Sequence, residues 1–80
     1  MKVGEIWVNV NVISSASTED MHLFCGMFSA DIEWKISRIE DEIIYVITCA
    51  TYPIEDRNGL KLCAKYRRPY FIENFRKVYK

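Results

Sequence analysis

No stretch of this sequence approaches the roughly 20 consecutive apolar residues that a membrane-spanning helix needs. The three glycines, Gly4, Gly26 and Gly59, are too scattered to form a phosphate-binding loop. The three cysteines are an odd number, whereas small secreted domains usually carry an even set that forms disulfides. The first residues also lack the pattern of a signal peptide. We therefore expect reduced cysteines in a cytoplasmic protein that has no membrane partner.

The balance of apolar and charged residues is that of a folded globular chain, with 50% hydrophobic and 28% charged residues. The 80 residues fit a single domain spanning 1–80. A domain this small buries only about 60% of the surface of its unfolded chain, so it needs most of its large apolar side chains for the core. Aromatic residues, at 14% of the chain, supply much of that apolar area.

A net charge of zero conceals two oppositely charged segments. From Arg57 onward, eight basic residues and the single acid Glu73 give +7, whereas ten acids and three bases before Arg57 give −7. Because the local field rather than the total charge selects partners, the basic segment could attract phosphate or an acidic protein. It could equally lie beside the acidic segment of its own fold.

Alternation of apolar and polar residues predicts strands along most of the chain. The predicted strands are 6–13, 32–37, 43–52, 60–65 and 76–79. In the first strand, the side expected to be buried carries Ile6, Val8, Val10 and Val12. The opposite side carries Trp7, Asn9 and Asn11.

Turn-forming residues separate these strands. The acidic run 40–42 predicts a turn, and the Asn58-Gly59 pair predicts a tight turn. A shift of phase at Arg38-Ile39 predicts a bulge or the end of a strand. Residues 69–75 suit a single helical turn, because their leading proline lies where a missing N–H costs little.

Residues 14–31 interrupt the strand pattern as a long insertion. Within it, 18–28 predicts a short helix, because apolar residues recur at three-to-four spacing and Ser17 can cap the first turn. A loop carrying one or two helical turns is the alternative, since Gly26 weakens the helix by about 1 kcal/mol relative to alanine. The apolar stripe of this segment comprises Met21, Phe24, Cys25 and Phe28.

Five short strands in so small a chain close most naturally into a barrel, which leaves few exposed edges. The predicted fold is therefore mainly β with a little α, as a barrel or a strongly bent sheet. The opening KVGEIW, residues 2–7, and the closing RPYFIENFRKV, residues 68–78, resemble small SH3-like barrel proteins of bacteria and their phages. The resemblance implies a five-stranded SH3-like barrel, from which this chain departs by a helix-bearing insertion loop at 14–31, where those proteins have a short hairpin. It also implies a phage or mobile-element origin, a bacterial host cell and no assigned activity.

The composition of the insertion suggests protein binding, since Met and Phe adapt to partner surfaces and supply binding energy. We predict a non-enzymatic interaction module that, by the resemblance, modulates a bacterial host protein as an inhibitor or anti-defence protein. Its acids would steer it toward a basic partner surface, such as that of a nucleic-acid-binding host protein. The alternative is that the same apolar residues plug the open end of the barrel. The predicted partner-binding residues are Glu19, Asp20, Met21, Phe24, Phe28, Asp31 and Glu33.

The basic C-terminal segment supports a second hypothesis, a small nucleic-acid-binding barrel with phosphate contacts and base stacking. The sequence pI of ≈ 6.6 argues against it, because values above about 9 are typical of such binders. A homodimer in which the acidic and basic regions of two copies meet is the third hypothesis. The candidate nucleic-acid-binding residues are Lys61, Lys65, Tyr66, Arg67 and Arg68.

Metal and catalytic sites have weak support in the sequence. His22 and Cys25 have a ligand-like spacing, and Cys49 and Cys63 could complete four ligands. Structural zinc sites, however, usually contain two close pairs of ligands. As a nucleophile and its base, Cys25 and His22 lack an identifiable third group that would orient them. We therefore predict no metal, no cofactor and no enzymatic activity.

Overall fold

The structure is a computed structural model that describes residues 1–18, 23–54 and 57–78. Within these ranges the chain forms nine strands and one helix. The strands are β1 (Ile6–Asn9), β2 (Ile13–Thr18), β3 (Leu23–Phe28), β4 (Glu33–Glu40), β5 (Ile43–Thr48), β6 (Tyr52–Ile54), β7 (Arg57–Leu60), β8 (Leu62–Arg67) and β9 (Phe75–Lys77), and helix α1 spans Arg68–Asn74.

Seven of these strands form one antiparallel sheet in the order β3-β2-β8-β5-β4-β1-β9, with β5 in the middle. Strands β6 and β7 pair as a separate two-stranded sheet. β-Branched residues are frequent in β5, which suits the centre of a sheet, where side chains pack on both sides. The prediction of a mainly β fold is confirmed, with nine strands in the described ranges rather than five.

The seven-stranded sheet bends so far that β3, at one end, approaches β4 and β1, near the other end. Phe28 on β3 and Trp34 on β4 are separated by three strands in the sheet, yet their ring centroids lie 6.0 Å apart. The side-chain amide of Asn9, on β1, donates a hydrogen bond of 2.8 Å to the carbonyl oxygen of Ser29, just after β3. These contacts give the sheet an inner and an outer face.

The inner face of the bent sheet holds the hydrophobic core. Along β5, Ile44, Val46 and Thr48 alternate inward and are fully buried, as a period of two requires. Helix α1 contributes Phe71, whose ring stacks on that of Phe75 with centroids 4.3 Å apart. The core cluster comprises Ile13, Phe28, Trp34, Ile36, Ile44, Val46, Leu62, Phe71 and Phe75.

Helix α1 confirms the helical turn predicted at 69–75. Pro69 lies in its first turn, where the absent N–H has no intrahelical partner to lose. The helix ends at Asn74, whose side-chain amide donates to the carbonyl oxygen of Tyr70 at 2.9 Å. Through the buried Phe71, this short helix packs against the inner face of the sheet.

The helix predicted at 18–28 is wrong, and the insertion instead contributes strands β2 and β3 to the sheet. Phe28 is buried and Met27 is exposed, so this end of the segment follows a period of two rather than helical spacing. The pairing with β2 outweighs a weak helical preference, because strand formation depends on cross-strand neighbours that a local pattern does not contain. Residues 19–22, where the expected helix begins, lie outside the described residues.

The predicted buried side of the first strand is wrong near Asn9. Asn9 is fully buried, whereas Val10 and Val12 are 42% and 51% exposed. Strand β1 ends at Asn9, and the backbone N–H of Val10 donates to the carbonyl oxygen of Asn74 at 2.8 Å, at the end of α1. The alternation therefore stops three residues before β2 begins at Ile13.

Two of the three predicted interruptions are confirmed. A turn follows β4 at Asp41, which has a φ of 52, and the register between β4 and β5 shifts between Ile36 and Arg38 as in a bulge. The third prediction is wrong, because Asn58-Gly59 lies within β7 rather than at a turn. Residues 55–56, which separate β6 from β7, are outside the described residues.

Candidate binding face

The outward side chains of the central strand β5 are almost as apolar as its inward ones. Ile43, Tyr45 and Ile47 alternate with the core residues and are half-buried, so each still presents part of its side chain to solvent. These three residues are called the apolar spine below. Outward positions of an antiparallel sheet are usually polar, so this row departs from the usual alternation.

Cations from the two neighbouring strands flank the apolar spine. Tyr45 lies opposite Arg38 of β4 on one side and opposite Lys65 of β8 on the other. Ile47 lies opposite Lys35 of β4. Because adjacent strands are about 4.8 Å apart, these cations surround the spine at close range.

The row around Ile43 contains one cation and one acid. Ile43 lies opposite Arg67 of β8 and opposite Glu40 of β4. Among the flanking cations, only Arg38 forms a salt bridge within the described residues. The exposed cations of the three rows, called the cation rim below, are Lys35, Arg38, Lys65 and Arg67. Most of the positive charge of the rim is therefore uncompensated by the described part of the chain.

Arg38 is held in place by two neighbours. Its guanidinium lies 4.0 Å from the centroid of the Tyr45 ring, a cation–π contact worth about 0.5–1 kcal/mol at an exposed site. It also forms a salt bridge of 3.2 Å with Glu40. Ser37 donates its hydroxyl to the backbone carbonyl of Tyr45 at 3.2 Å, which ties the bulge to β5. Arg38 is thus oriented in advance, which lowers the entropy cost of using its guanidinium in binding.

The structure separates the predicted nucleic-acid-binding residues from one another. Lys65 and Arg67 project from the outer face, and Lys61, half-buried, directly precedes β8. Tyr66 lies between them in sequence and packs against the core, with its ring stacked on that of Tyr70 at a centroid distance of 5.1 Å. Tyr66 therefore does not offer a stacking surface beside the outward cations.

Tyr66 and Arg68 are both occupied by contacts within the fold. The Tyr66 hydroxyl donates to the carbonyl oxygen of Ser14 at 3.4 Å. Burial, with a smaller contribution from neighbouring Tyr70, raises the pKa of Tyr66 to about 12. The backbone N–H of Arg68 donates to the carbonyl oxygen of Glu42 at 2.6 Å, and its guanidinium lies 3.9 Å from the same residue's carboxylate. These contacts connect the end of β8 to β2, and the start of α1 to the turn between β4 and β5.

The predicted partner-binding residues of the insertion fall only partly within the described residues. Phe28 is 8% exposed and meets Trp34 edge-on, so it belongs to the core, as in the plug alternative. Asp31 and Glu33 are exposed. Glu19, Asp20 and Met21 lie outside the described residues. Phe24 lies in β3, but its side chain is not described.

Asn9 is a structural residue that the sequence pattern did not reveal. Its side-chain amide donates to the carbonyl oxygens of Asn11 at 3.0 Å and Ser29 at 2.8 Å. Its side-chain oxygen accepts from the backbone N–H of Ile32 at 3.0 Å and the indole N–H of Trp34 at 3.2 Å. These four bonds satisfy a buried amide completely, as burial requires. They hold the chain where the two ends of the bent sheet meet.

Glu5 is a charged residue whose contacts lie within the fold. Its carboxylate forms a salt bridge of 2.9 Å with Lys77 of β9. It also accepts hydrogen bonds from the backbone N–H of Lys2 at 2.9 Å and the indole N–H of Trp7 at 3.2 Å. These contacts, that with Lys77 foremost, lower the pKa of Glu5 to about 2. The charge of Glu5 therefore helps to fasten β1 to β9, in contrast with the outward charges of the cation rim.

The described residues contain neither a cluster of metal ligands nor a helix of the length and hydrophobicity that a membrane span needs. Of the four residues considered above as metal ligands, His22 lies outside the described residues, and Cys25 lies in β3 but its side chain is not described. Cys63 lies on β8 opposite Ile47. Cys49 directly follows β5 and is exposed.

No protein-family model matches this chain, and no curated protein or solved structure is significantly similar to it. The likeness of the chain ends to SH3-like barrel proteins of bacteria and phages therefore stays a prediction. The capacity of the molecule to bind or react must be inferred from its own surfaces. Within the described ranges, the apolar spine is a half-buried apolar row on the outer face of the sheet, with exposed cations on both neighbouring strands.

Proposed function

We propose that this chain is a non-enzymatic interaction module that binds another protein through the apolar spine and the cation rim. The observation that carries the proposal is the outward row Ile43, Tyr45 and Ile47, which keeps apolar surface at the centre of a charged face. Apolar surface rimmed by polar residues is typical of sites that bind proteins. The core lies on the opposite face of the sheet, so a binding role gives this outward row a purpose that packing does not.

The residue types of this face are those of protein interfaces. Tyr and Arg are enriched among the residues that carry most of the binding energy, and Tyr45 and Arg38 are already in contact. Lys35, Lys65 and Arg67 lie around them, where charge accelerates association and selects the partner. A central anchor with a polar rim is the usual anatomy of an interface.

The resemblance of the chain ends supplies the biological setting of the proposal. SH3-like barrel proteins of phages suggest a protein that acts in the cytoplasm of a bacterial host cell. By covering a surface of a host protein, the module would block that protein sterically or electrostatically, which requires no catalytic group. The cation rim favours an acidic partner surface rather than the basic one expected from Asp31 and Glu33.

A nucleic-acid-binding barrel is the second candidate function. It is favoured by one observation, that Lys65 and Arg67 share their face with Lys35 and Arg38 around an aromatic ring. Phosphate contacts of this kind would make binding fall steeply as salt concentration rises. The aliphatic ends of the spine argue against it, because base stacking needs aromatic surface along the strand.

The experiment that tests the proposed function is an affinity capture from bacterial lysate, with and without nuclease. The wild-type chain is compared with a double variant, Lys65→Glu with Arg67→Glu, and with a control, Arg76→Glu. Arg76 is exposed on β9, two strands beyond β4, so the control makes the same type of charge reversal away from the spine.

We expect one stoichiometric protein to survive nuclease, to be lost with the double variant and to be retained by Arg76→Glu. Circular dichroism and urea unfolding establish that each variant is folded. A partner that is retained by the folded double variant would contradict the proposal. Recovery of nucleic acid, with loss of all captured protein after nuclease, would support the second candidate instead.

A further inference from the structure

Building on the proposed function, we propose that the segment which occupies this face is an acidic amphipathic helix of the partner. It would lie along β5, with its apolar stripe on the apolar spine and carboxylates on both sides toward the cation rim. The inference rests on the length, the width and the charge pattern of the face.

The length of the spine matches about two and a half turns of a helix. Ile43, Tyr45 and Ile47 are alternate residues of one strand, so they span about 13 Å at roughly 3.3 Å per residue. A helix covers that length with about nine residues at 1.5 Å each. Apolar side chains at positions i, i+4 and i+7 of such a helix would each meet one residue of the spine.

The width of the face also suits a helix. Strands β4 and β8 flank β5, so the two sides of the cation rim are about 10 Å apart, twice the spacing between strands. A helix with its side chains is about 10–12 Å wide. Its flanking positions would therefore reach both Arg38 and Lys65, which lie on opposite sides of Tyr45.

The charge pattern predicts where along the partner helix the carboxylates lie. On the β8 side, Lys65 and Arg67 attract carboxylates at the helix positions that face them. On the β4 side, Lys35 and Arg38 do the same, but the next outward residue, opposite Ile43, is Glu40. A carboxylate facing Glu40 would be repelled, so the position of the partner helix that faces Glu40 should carry a neutral or basic residue.

The same features argue against a nucleic acid as the occupant. Two of the three spine residues, Ile43 and Ile47, are aliphatic and offer no ring for stacking. The third, Tyr45, has the Arg38 guanidinium over its ring. An apolar stripe with flanking carboxylates uses both the apolar spine and the cations of the rim, whereas a phosphate chain uses only the cations.

The test uses three probes and fluorescence anisotropy with the full chain. The first probe is a peptide of about three heptads with Leu at positions a and d and Glu at e and g. The second is the same peptide with Lys at e and g, and the third is a single-stranded oligothymidylate carrying as many negative charges as the first peptide. Like charges at e and g keep both peptides from pairing with themselves, so the comparison isolates the sign of the flanking charge.

We expect the Glu-flanked peptide to bind at least about tenfold more tightly than either other probe. The double variant Lys65→Glu with Arg67→Glu should lose about tenfold or more of that affinity, and Arg76→Glu should stay within about twofold. Equal binding of both peptides, or tighter binding of the oligothymidylate, would overturn the inference. A loss of affinity per reversed charge that is as large for Arg76→Glu as for the double variant would overturn it too, because the effect would then be one of overall charge.

The inference and the proposed function fail in distinguishable ways. If the captured bacterial protein is lost with the double variant but the Glu-flanked peptide does not bind, the face binds a protein of different chemistry and only the helix inference is overturned. If the captured protein is retained by the folded double variant, the face is not the binding site and both proposals are wrong.

Discussion

The two faces of strand β5 carry similar side chains in opposite surroundings. Inward, Ile44 and Val46 are almost completely buried in the core that includes Trp34. Outward, Ile43 and Ile47 are half-buried and have exposed charged residues as cross-strand neighbours. Hydrophobicity alone does not distinguish these rows, and the difference lies in what covers them. Apolar residues of the inner row stabilise the fold, whereas those of the outer row keep part of their surface exposed to solvent.

Polar groups on the two sides of the sheet show the same contrast. Asn9, buried beside Trp34, uses every hydrogen-bonding atom of its side chain within the fold. Lys65 and Arg67, on the outer face, form no salt bridge within the described part of the chain. Buried polar groups must be satisfied internally, while exposed charges cost little and can serve recognition.

The largest contrast is expected for two adjacent residues of β3. Replacing the buried Phe28 with alanine should lower the free energy of unfolding by about 3–5 kcal/mol, because it leaves a cavity against Trp34. Replacing Met27, which is 78% exposed, should change it by no more than about 0.5 kcal/mol. Urea unfolding of both variants measures the difference. A small effect of Phe28→Ala would return this residue to the role of partner anchor that the sequence suggested.

The next contrast compares two neighbouring isoleucines of β5. The variant Ile44→Ala should lose about 2–5 kcal/mol of unfolding free energy, because Ile44 is fully buried in the core. The variant Ile43→Ala removes a half-buried side chain and should lose about 1 kcal/mol. Urea unfolding again provides the measurement. Equal losses would show that the outer row is part of the core and would weaken the case for a binding face.

A smaller effect is expected at the buried amide of Asn9. The variant Asn9→Ala leaves the backbone N–H of Ile32 and the indole N–H of Trp34 without their acceptor, at a cost of about 1–3 kcal/mol. The matched control is Asn11→Ala, since Asn11 is exposed and its side-chain amide donates to the side-chain oxygen of Asn74 at 3.0 Å. Thermal unfolding should separate the two variants clearly. A fold that tolerates Asn9→Ala as well as the control would contradict the role of Asn9 in joining the ends of the sheet.

The smallest expected effect is a dependence of stability on pH. The pKa of Glu5 is lowered in the fold from 4.5 to about 2, so its contribution is present above about pH 4.5 and is lost as the pH falls toward 2. Removing the carboxylate with Glu5→Gln should flatten this part of the stability profile. The control is Glu73→Gln, at an exposed position of α1. The profiles are compared by measuring melting temperatures across this pH range. Identical profiles for wild type and Glu5→Gln would refute the predicted contribution of Glu5 to stability.

The sequence was sufficient for the elements whose signals are local. The bulge near Arg38 and the helical turn after Pro69 appear where the pattern placed them, and the strand predicted at 43–52 begins at Ile43 but ends earlier, at Thr48. The hairpin of β2 and β3 was missed because its stability comes from cross-strand pairs, including those of β2 with the distant β8, that a local pattern does not contain. In β1, Val8 is buried as predicted, but the burial of Asn9 was missed because the β-branched residues marked the opposite side, although a ring as large as Trp7 on the side of Asn9 is well suited to burial.

Only half of the cation rim could be predicted. Lys65 and Arg67 were candidates because they lie in the basic segment, whereas Lys35 and Arg38 come from the acidic part of the chain. The face arises from the register of β4, β5 and β8, which brings residues about 30 positions apart into one row. One local signal was available, since both alternate rows of β5 are apolar, and this pattern indicates a strand covered on two sides.

The most direct test of the central claim is to compare binding and unfolding in the variant Tyr45→Ala. Tyr45 lies at the centre of the apolar spine, so we expect affinity for the captured protein to fall at least about tenfold. The free energy of unfolding should fall by only about 1 kcal/mol, since mainly a cation–π contact and a half-buried ring are lost. Unchanged affinity together with a loss of stability as large as that of Ile44→Ala would contradict the account and place Tyr45 among the residues that hold the fold together.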